Sequence, residues 1–165
     1  MHKKYYVLLD TSTTSNKVNN LSGDVTWALD RHIPNGSKMR LMQFNWHSAT
    51  GQAAFDNNLN GIVLHLQNIG NLSDFNTTYH TPPQMASTCI LAQIPQESLF
   101  VAASTETPKT EGTYEPYNPC EVKISAPMTS INITLRDSTF LEISNSDLVN
   151  FNYSVLLEID ECPCE

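Results

Sequence analysis

Two runs of strict apolar and polar alternation in the last quarter of the chain limit what it can fold into more than any other feature. In the first, Ile131, Ile133 and Leu135 alternate with Asn132, Thr134 and Arg136. In the second, Phe151, Tyr153, Val155, Leu157 and Ile159 alternate with Asn150, Asn152, Ser154, Leu156 and Glu158. A period of two places one set on a buried sheet face and the other on the opposite face, whereas a helix would scatter both sets around its circumference. A slip of one residue would turn the whole apolar set outward, so the register of these segments is strongly specified. Both therefore read as long strands of a sandwich or barrel, and the rest of the chain is fitted around them.

The remaining segments repeat the pattern. Residues 5–10 form a first strand, and residues 11–23, rich in Ser, Thr and Asn, read as a loop. Residues 24–30 put Val25, Trp27 and Leu29 on one face, and Pro34, Asn35 and Gly36 make a turn. A long strand follows over 38–47 with a change of phase, since Met39 and Leu41 share one parity and Met42, Phe44 and Trp46 the other. A β-bulge near Leu41 and Met42 accounts for that shift. Residues 48–61, with Gly51, Asp56, Asn57, Asn58 and Asn60, are mostly loop, and 62–66 is an apolar strand with His65 facing opposite Leu64 and Leu66. Residues 68–87 are a long polar excursion containing Pro82 and Pro83, of a length usually associated with contacts or function. Strands are expected at 89–94, stopped by Pro95, at 98–103, and at 121–125, closed by Pro127. Residues 105–119, with Pro108, Gly112, Pro116 and Pro119, read as an exposed arm or loop. About eight or nine strands with recurrent turn signals and almost no helical periodicity predict an all-β, antiparallel β-sandwich, a single jelly roll. The reading is one domain over 1–160, followed by an acidic tail, 161–165, that carries Cys162, Pro163 and Cys164.

At 165 residues the chain is one domain by length and can hold a core without staples. Its charged fraction is 16%, against about 25% in typical globular domains, so the polar surface must be built from Asn, Ser, Thr and Gln. A weakly charged surface of this kind suits contact with other subunits, because interface cores are depleted in charge. A net charge of -8, with no Lys or Arg between Leu41 and Pro108, argues against nucleic acid as a direct partner. The apolar run at 5–9 is shorter than a signal-peptide core and far shorter than a membrane span, so synthesis in the cytosol and no membrane insertion are expected. On that expectation the Asn-x-Ser/Thr triplets at Asn20, Asn35, Asn71, Asn76, Asn132 and Asn152 are not glycan sites.

Chemistry-bearing patterns are sparse. His2, His32, His47, His65 and His80 show no metal-ligand spacing, and His65 reads as a packed or edge histidine. Asp56, Asn57 and Asn58, or Asp137 with Ser138, lack the spacing of a calcium loop. The Cys-x-Cys pair at 162 and 164 is a poor match to zinc spacing even with Cys89 and Cys120, and free thiols are expected. No catalytic, cofactor-binding or metal-binding residue is assigned, no cofactor is expected, and the chain does not read as an enzyme. A cupin-like enzyme would need clustered His and Glu ligands that the sequence does not offer. A lectin-like or cytokine-like binding module would use Trp46, Tyr79, Tyr114 and Tyr117 against a sugar or receptor.

Three segments carry a family resemblance. The run Cys89, Ile90, Leu91, Ala92, Gln93, Ile94 and Pro95, the run from Ile131 to Asp137, and the closing run from Phe151 through Glu158 to Ile159 resemble, in order and separation, strands of the penton and minor capsid single jelly-roll proteins of large eukaryotic DNA viruses and virophages. Those viruses belong to the double-jelly-roll lineage that includes adenoviruses. The resemblance covers mainly residues 89–160, and Asn145, Ser146 and Asp147 stand where that pattern has a Gly in the last turn. It implies eight strands in two facing sheets with the last strand central in one of them. It also implies a homopentamer that plugs a fivefold vertex of an icosahedral capsid, so that the protein is made in the host cytoplasm and resides in the virion. The long loops, the Lys3 and Lys4 end and the acidic tail would then meet neighbouring major and minor capsid proteins.

Overall fold

The computed structural model describes residues 3–12, 17–21, 24–48, 61–66, 90–95, 98, 100–101, 104–108, 110–137, 143 and 151–161. Its strands in chain order are β1 (Lys3–Asp10), β2 (Lys17–Leu21), β3 (Asp24–Ile33), β4 (Lys38–Ser48), β5 (Gly61–Leu66), β6 (Ile90–Pro95), β7 (Phe100–Val101), β8 (Ser104–Pro108), β9 (Glu111–Tyr114), β10 (Glu121–Lys123), β11 (Met128–Asp137) and β12 (Phe151–Glu161). One sheet runs β1-β12-β4-β10, with β9 also on β4, and the second runs β2-β3-β11-β5-β6. β9 pairs with residues 44–47 of β4 and β10 with residues 38–40, so the two lie end to end along one edge. Pro116 and Pro119, which have no N–H to give to a ladder, fall in the break between them.

Counting β9 and β10 as one broken strand and setting aside β2 and the β7–β8 hairpin leaves eight strands. Their order is first, eighth, third and sixth in one sheet, facing second, seventh, fourth and fifth in the other. Every pairing is antiparallel. This is the order of a jelly roll, and the last strand is indeed internal to its sheet.

The alternating runs bury the faces expected of them. Ile131, Ile133, Leu135, Val155, Leu157 and Ile159 are fully buried, with Phe151 and Tyr153 nearly so. The phase change in β4 is resolved by a bulge: Leu156 pairs with Gln43 and Leu157 with Leu41, which leaves Met42 as the extra residue. Met39, Leu41, Phe44 and Trp46 consequently all point into the core. The edge-to-face contact of Trp27 with Tyr153, centroids 6.2 Å apart, joins the two sheets.

Three segments differ from the sequence reading. β2 occupies part of the polar stretch 11–23, held by backbone pairing to Trp27 and residues 24–26 rather than by any apolar periodicity of its own. Residues 105–119 are not one open loop, since they contain β9 and most of β8. β12 runs through Glu161, one residue past the expected boundary at 160, because Glu161 pairs with Lys3 and forms an ion pair with Arg31. The long excursions 48–60 and 68–87 lie outside the described residues apart from Ser48, as does the tail 162–165.

Gly61 opens β5 with φ at +131°, and a Cβ there would sit 2.5 Å from the Ile94 carbonyl oxygen. The backbone conformation and the close approach of β6 both call for glycine. Gly61→Ala is expected to destabilise the fold by about 1–3 kcal/mol. In urea titrations this should appear as a lower midpoint with an unchanged slope.

Candidate interaction surface

The outward face of the sheet β1-β12-β4-β10 is the most elaborated surface among the described residues. Period two turns Lys4, Tyr6 and Leu8 of β1, Leu156 and Glu158 of β12, and Arg40 of β4 away from the core. Arg40 bridges two carboxylates, Glu158 at 2.8 Å and Glu121 on β10. Lys4 reaches Glu158 at 3.4 Å and Lys38 reaches Glu121 at 2.7 Å. The result is a five-membered ionic chain across four adjacent strands. Glu158 is only 8% exposed. Burial pushes its carboxyl up, but Arg40 and Lys4 outweigh that and hold it below the ordinary carboxylate value. Hydrogen bonds from Lys38 and Arg40 hold Glu121 low in the same way.

Beside this chain lies an apolar area. Tyr6 is 61% and Leu8 65% exposed, and Leu8 pairs directly with Leu156. The far end of the same face is rich in amides and hydroxyls, with the Glu115 carboxylate among them. Asn45 donates to Ser154 at 3.3 Å and accepts from Thr113 at 2.8 Å, and Gln43 donates to Glu115 at 3.0 Å. One face thus grades from ionic through apolar to amide-rich.

A cleft of about 490 Å³ runs along the side of the sandwich where β1 faces β3. Its lining takes in consecutive residues of both strands, Tyr5 to Asp10 on one and Ala28 to Arg31 on the other, so the strand edges themselves form the walls. Arg31 stacks 4.3 Å over the Tyr5 ring while ion-paired to Glu161, and the Trp27 indole donates to the Asp10 carbonyl at 3.3 Å.

The opposite sheet has a different outer side. In β5 every residue is buried, including the outward-pointing Val63 and His65. His65 stands opposite Thr134 of β11, and among the described residues neither ring nitrogen of His65 nor the Thr134 hydroxyl has a hydrogen-bond partner. β5 lies between β11 and β6, so His65 is a packed histidine and not an edge one. Burial, assisted by the nearby Arg136 charge, lowers its pKa to about 4.

The residues singled out from sequence fall apart rather than together. Trp46, expected as a surface aromatic, is 4% exposed and packs in the core against Phe44, because the Met42 bulge turns it inward. A Cβ on Gly112 would overlap its ring, so β9 lies directly over it. Tyr114 is packed against the core, Tyr117 is 98% exposed, and Tyr79 lies outside the described residues. A shared aromatic platform of Trp46, Tyr114 and Tyr117 is therefore not formed. His32 and His47 are exposed on different strands. Cys120 is exposed and outside any disulfide, whereas His2, His80, Cys89, Cys162, Cys164, residues 56–58 and Ser138 lie outside the described residues. Among the described residues no three His, Cys, Asp or Glu side chains converge as a metal site, and no helix is long and apolar enough to cross a membrane.

Tyr6 and Leu8 went unremarked as surface residues in the sequence. The signal was available: Tyr5 to Leu9 are five successive apolar residues in a strand, and a period of two cannot turn all of them inward. No family model matches the chain, and no curated protein matches it.

Two outcomes follow. Arg40→Leu leaves Glu158 nearly buried without its nearest cation and is expected to lower stability by about 1–3 kcal/mol, with Arg40→Leu/Glu158→Leu recovering part of the loss. For His65 the folded value lies below the unfolded one, so between pH 6.5 and about 4 only the unfolded chain takes up the proton. Stability is full above pH 6.5 and falls by about 3 kcal/mol as pH drops through that window. Below 4.5 the loss continues as Glu158 and Glu121 protonate. Thermal melts from about pH 3 to about pH 7 should lose the first component in His65→Leu and keep the second.

Proposed function

We propose that this protein is a structural capsid component, the penton protein or another minor capsid protein of a large DNA virus, assembling as a homopentamer at icosahedral fivefold vertices. The observation that carries this reading is the complete single jelly-roll order of the described strands, closed by an internal last strand. Support comes also from a surface in which ionic, apolar and amide-rich areas share one exposed sheet face. Such a graded face suits contact with several protein neighbours better than capture of one small molecule.

On this reading the work of the protein is geometric. Head-to-tail contacts between unlike surfaces of identical subunits close a ring when the rotation between neighbours returns to the start after five steps. Its partners are copies of itself and the surrounding major and minor capsid proteins, and its location is the virion. The alternative of a lectin-like or cytokine-like module loses support with Trp46 in the core.

Light scattering after size exclusion, with negative-stain images of the same fractions, tests the proposal. A species whose protomer number is a multiple of five, with fivefold views, is the expected result. A monomer at every concentration, together with saturable binding on a glycan array, would overturn it in favour of the binding module.

A further inference from the structure

A two-sheet sandwich has four edges, and three of these are guarded. The β9–β10 edge is broken by Pro116 and Pro119, β6 ends on Pro95, and β2 is five residues long with a register shift between Lys17 and Asn19. Short strands, prolines and bulges are the usual means of keeping an edge from pairing with another chain. β1 has none of them. It holds an unbroken eight-pair register with β12, and no described strand pairs with its other side. Tyr5, Val7 and Leu9 face the core while Tyr6 and Leu8 stand exposed, so the strand is apolar on both faces.

We propose that β1 is a self-pairing edge: it takes the β1 of a second copy of this chain, antiparallel, across a twofold axis. In such a pair, opposed residues must lie on the same face, so their numbers must share parity. The register centred on Val7 meets this condition and is complementary throughout. On the outer face it sets Lys4 against Asp10 of the second copy and Tyr6 against its Leu8. On the inner face it sets Tyr5 against Leu9 and Val7 against Val7. Opposite charges and an aromatic–aliphatic pair are both favourable cross-strand neighbours.

The other sheet leaves room for this. β2 pairs with β3 only over Asp24 to Trp27, so β3 from Ala28 onward has no β2 beside it. This open stretch is the wall of the cleft along β1. The partner's edge would enter the side of the sandwich that is already open.

The pairing goes beyond the vertex role and is independent of it. A twofold contact is isologous and cannot close a ring of five, so it joins two protomers or two rings. The test compares the sedimentation mass of the full-length chain with that of Tyr6→Lys/Leu8→Lys. Both side chains are exposed, so the variant should fold, as circular dichroism would verify. The expected result is a halving of mass, from dimer to monomer or from decamer to pentamer. A dimer that becomes a monomer supports the edge and counts against the ring. A pentamer unchanged by the substitutions supports the ring and overturns the edge, as does a wild-type monomer. For the register, Tyr6→Cys chains mixed with Leu8→Cys chains should oxidise to a disulfide between positions 6 and 8, identified by peptide mass spectrometry. A statistical mixture of 6–6, 6–8 and 8–8 links would overturn the proposed register.

Discussion

The sheet that carries the candidate surface depends on the seating of its last strand between its first and third. β12 pairs with β1 on one side and β4 on the other. Its side chains supply five core positions, and its backbone joins β1, near the start of the chain, to the middle. The reciprocal bonds at the end of this ladder, Thr11 N–H to the Tyr153 carbonyl at 2.9 Å and Tyr153 N–H to the Thr11 hydroxyl at 2.8 Å, span 142 residues of sequence. Without β12, β1 has no connection to the β4, β9 and β10 part of that sheet. Such distant partners require most of the loop-closure entropy to be lost before any pairing rewards it, so the fold belongs to the slow, non-local class. The strictness of the alternation in β12 fits this position, because an internal strand with both edges occupied has no tolerance for a slipped register.

The two sheets divide their outer sides differently. That of the β12 sheet is solvated, and its charges are organised around Arg40, which satisfies two carboxylates at once. The energetic weight of that arrangement rests mainly on the nearly buried Glu158, since the two ends of the ionic chain, Lys4 on Glu158 and Lys38 on Glu121, are half exposed and exposed pairs contribute little. On the other sheet, β5 is buried on both sides, and neither its His65 nor the Thr134 of β11 opposite has a described hydrogen-bond partner. A neutral imidazole there is tolerated, whereas a charged one is not. The same surface chemistry, few charges and many amides, thus accompanies one face that is solvated and one that is buried over β5 but exposed at Ala28, Asp30 and His32 of β3.

How much of this was legible in the sequence follows from which forces acted locally. Strands whose inward set alternates cleanly, β3, β11 and β12, could be placed with their buried faces, because burial writes a period of two into the residues themselves. The bulge at Met42 was legible for the same reason, as a break in that period. β2 and β9 were not, because Lys17 to Leu21 and Glu111 to Tyr114 are edge segments held by backbone pairing to β3 and β4, and backbone hydrogen bonds leave no side-chain pattern. Only the binding-module alternative needed Trp46 at the surface, and its parity with Phe44 already argued against that by placing the two on one face. The outward residues of β1 were hidden by the opposite difficulty, since a continuous apolar run does not say which of its members face inward.

That run also shows where the fold and an assembly role meet. Topology makes β1 an edge, because among the described strands it pairs with β12 alone and its other side opens on the cleft. The core nevertheless requires Tyr5, Val7 and Leu9 on its inner face, so the strand cannot be made short or polar without weakening the sandwich. Tyr6 and Leu8 meet no such requirement: replacing them with Lys or Thr would leave the core untouched and would improve solubility. Exposed apolar side chains on a long edge strand whose other side no described strand covers are a liability for an isolated monomer. They are consistent with the rest of the molecule when that edge is covered by another protein chain, and this holds whether the assembly is a ring, a pair of rings or a dimer.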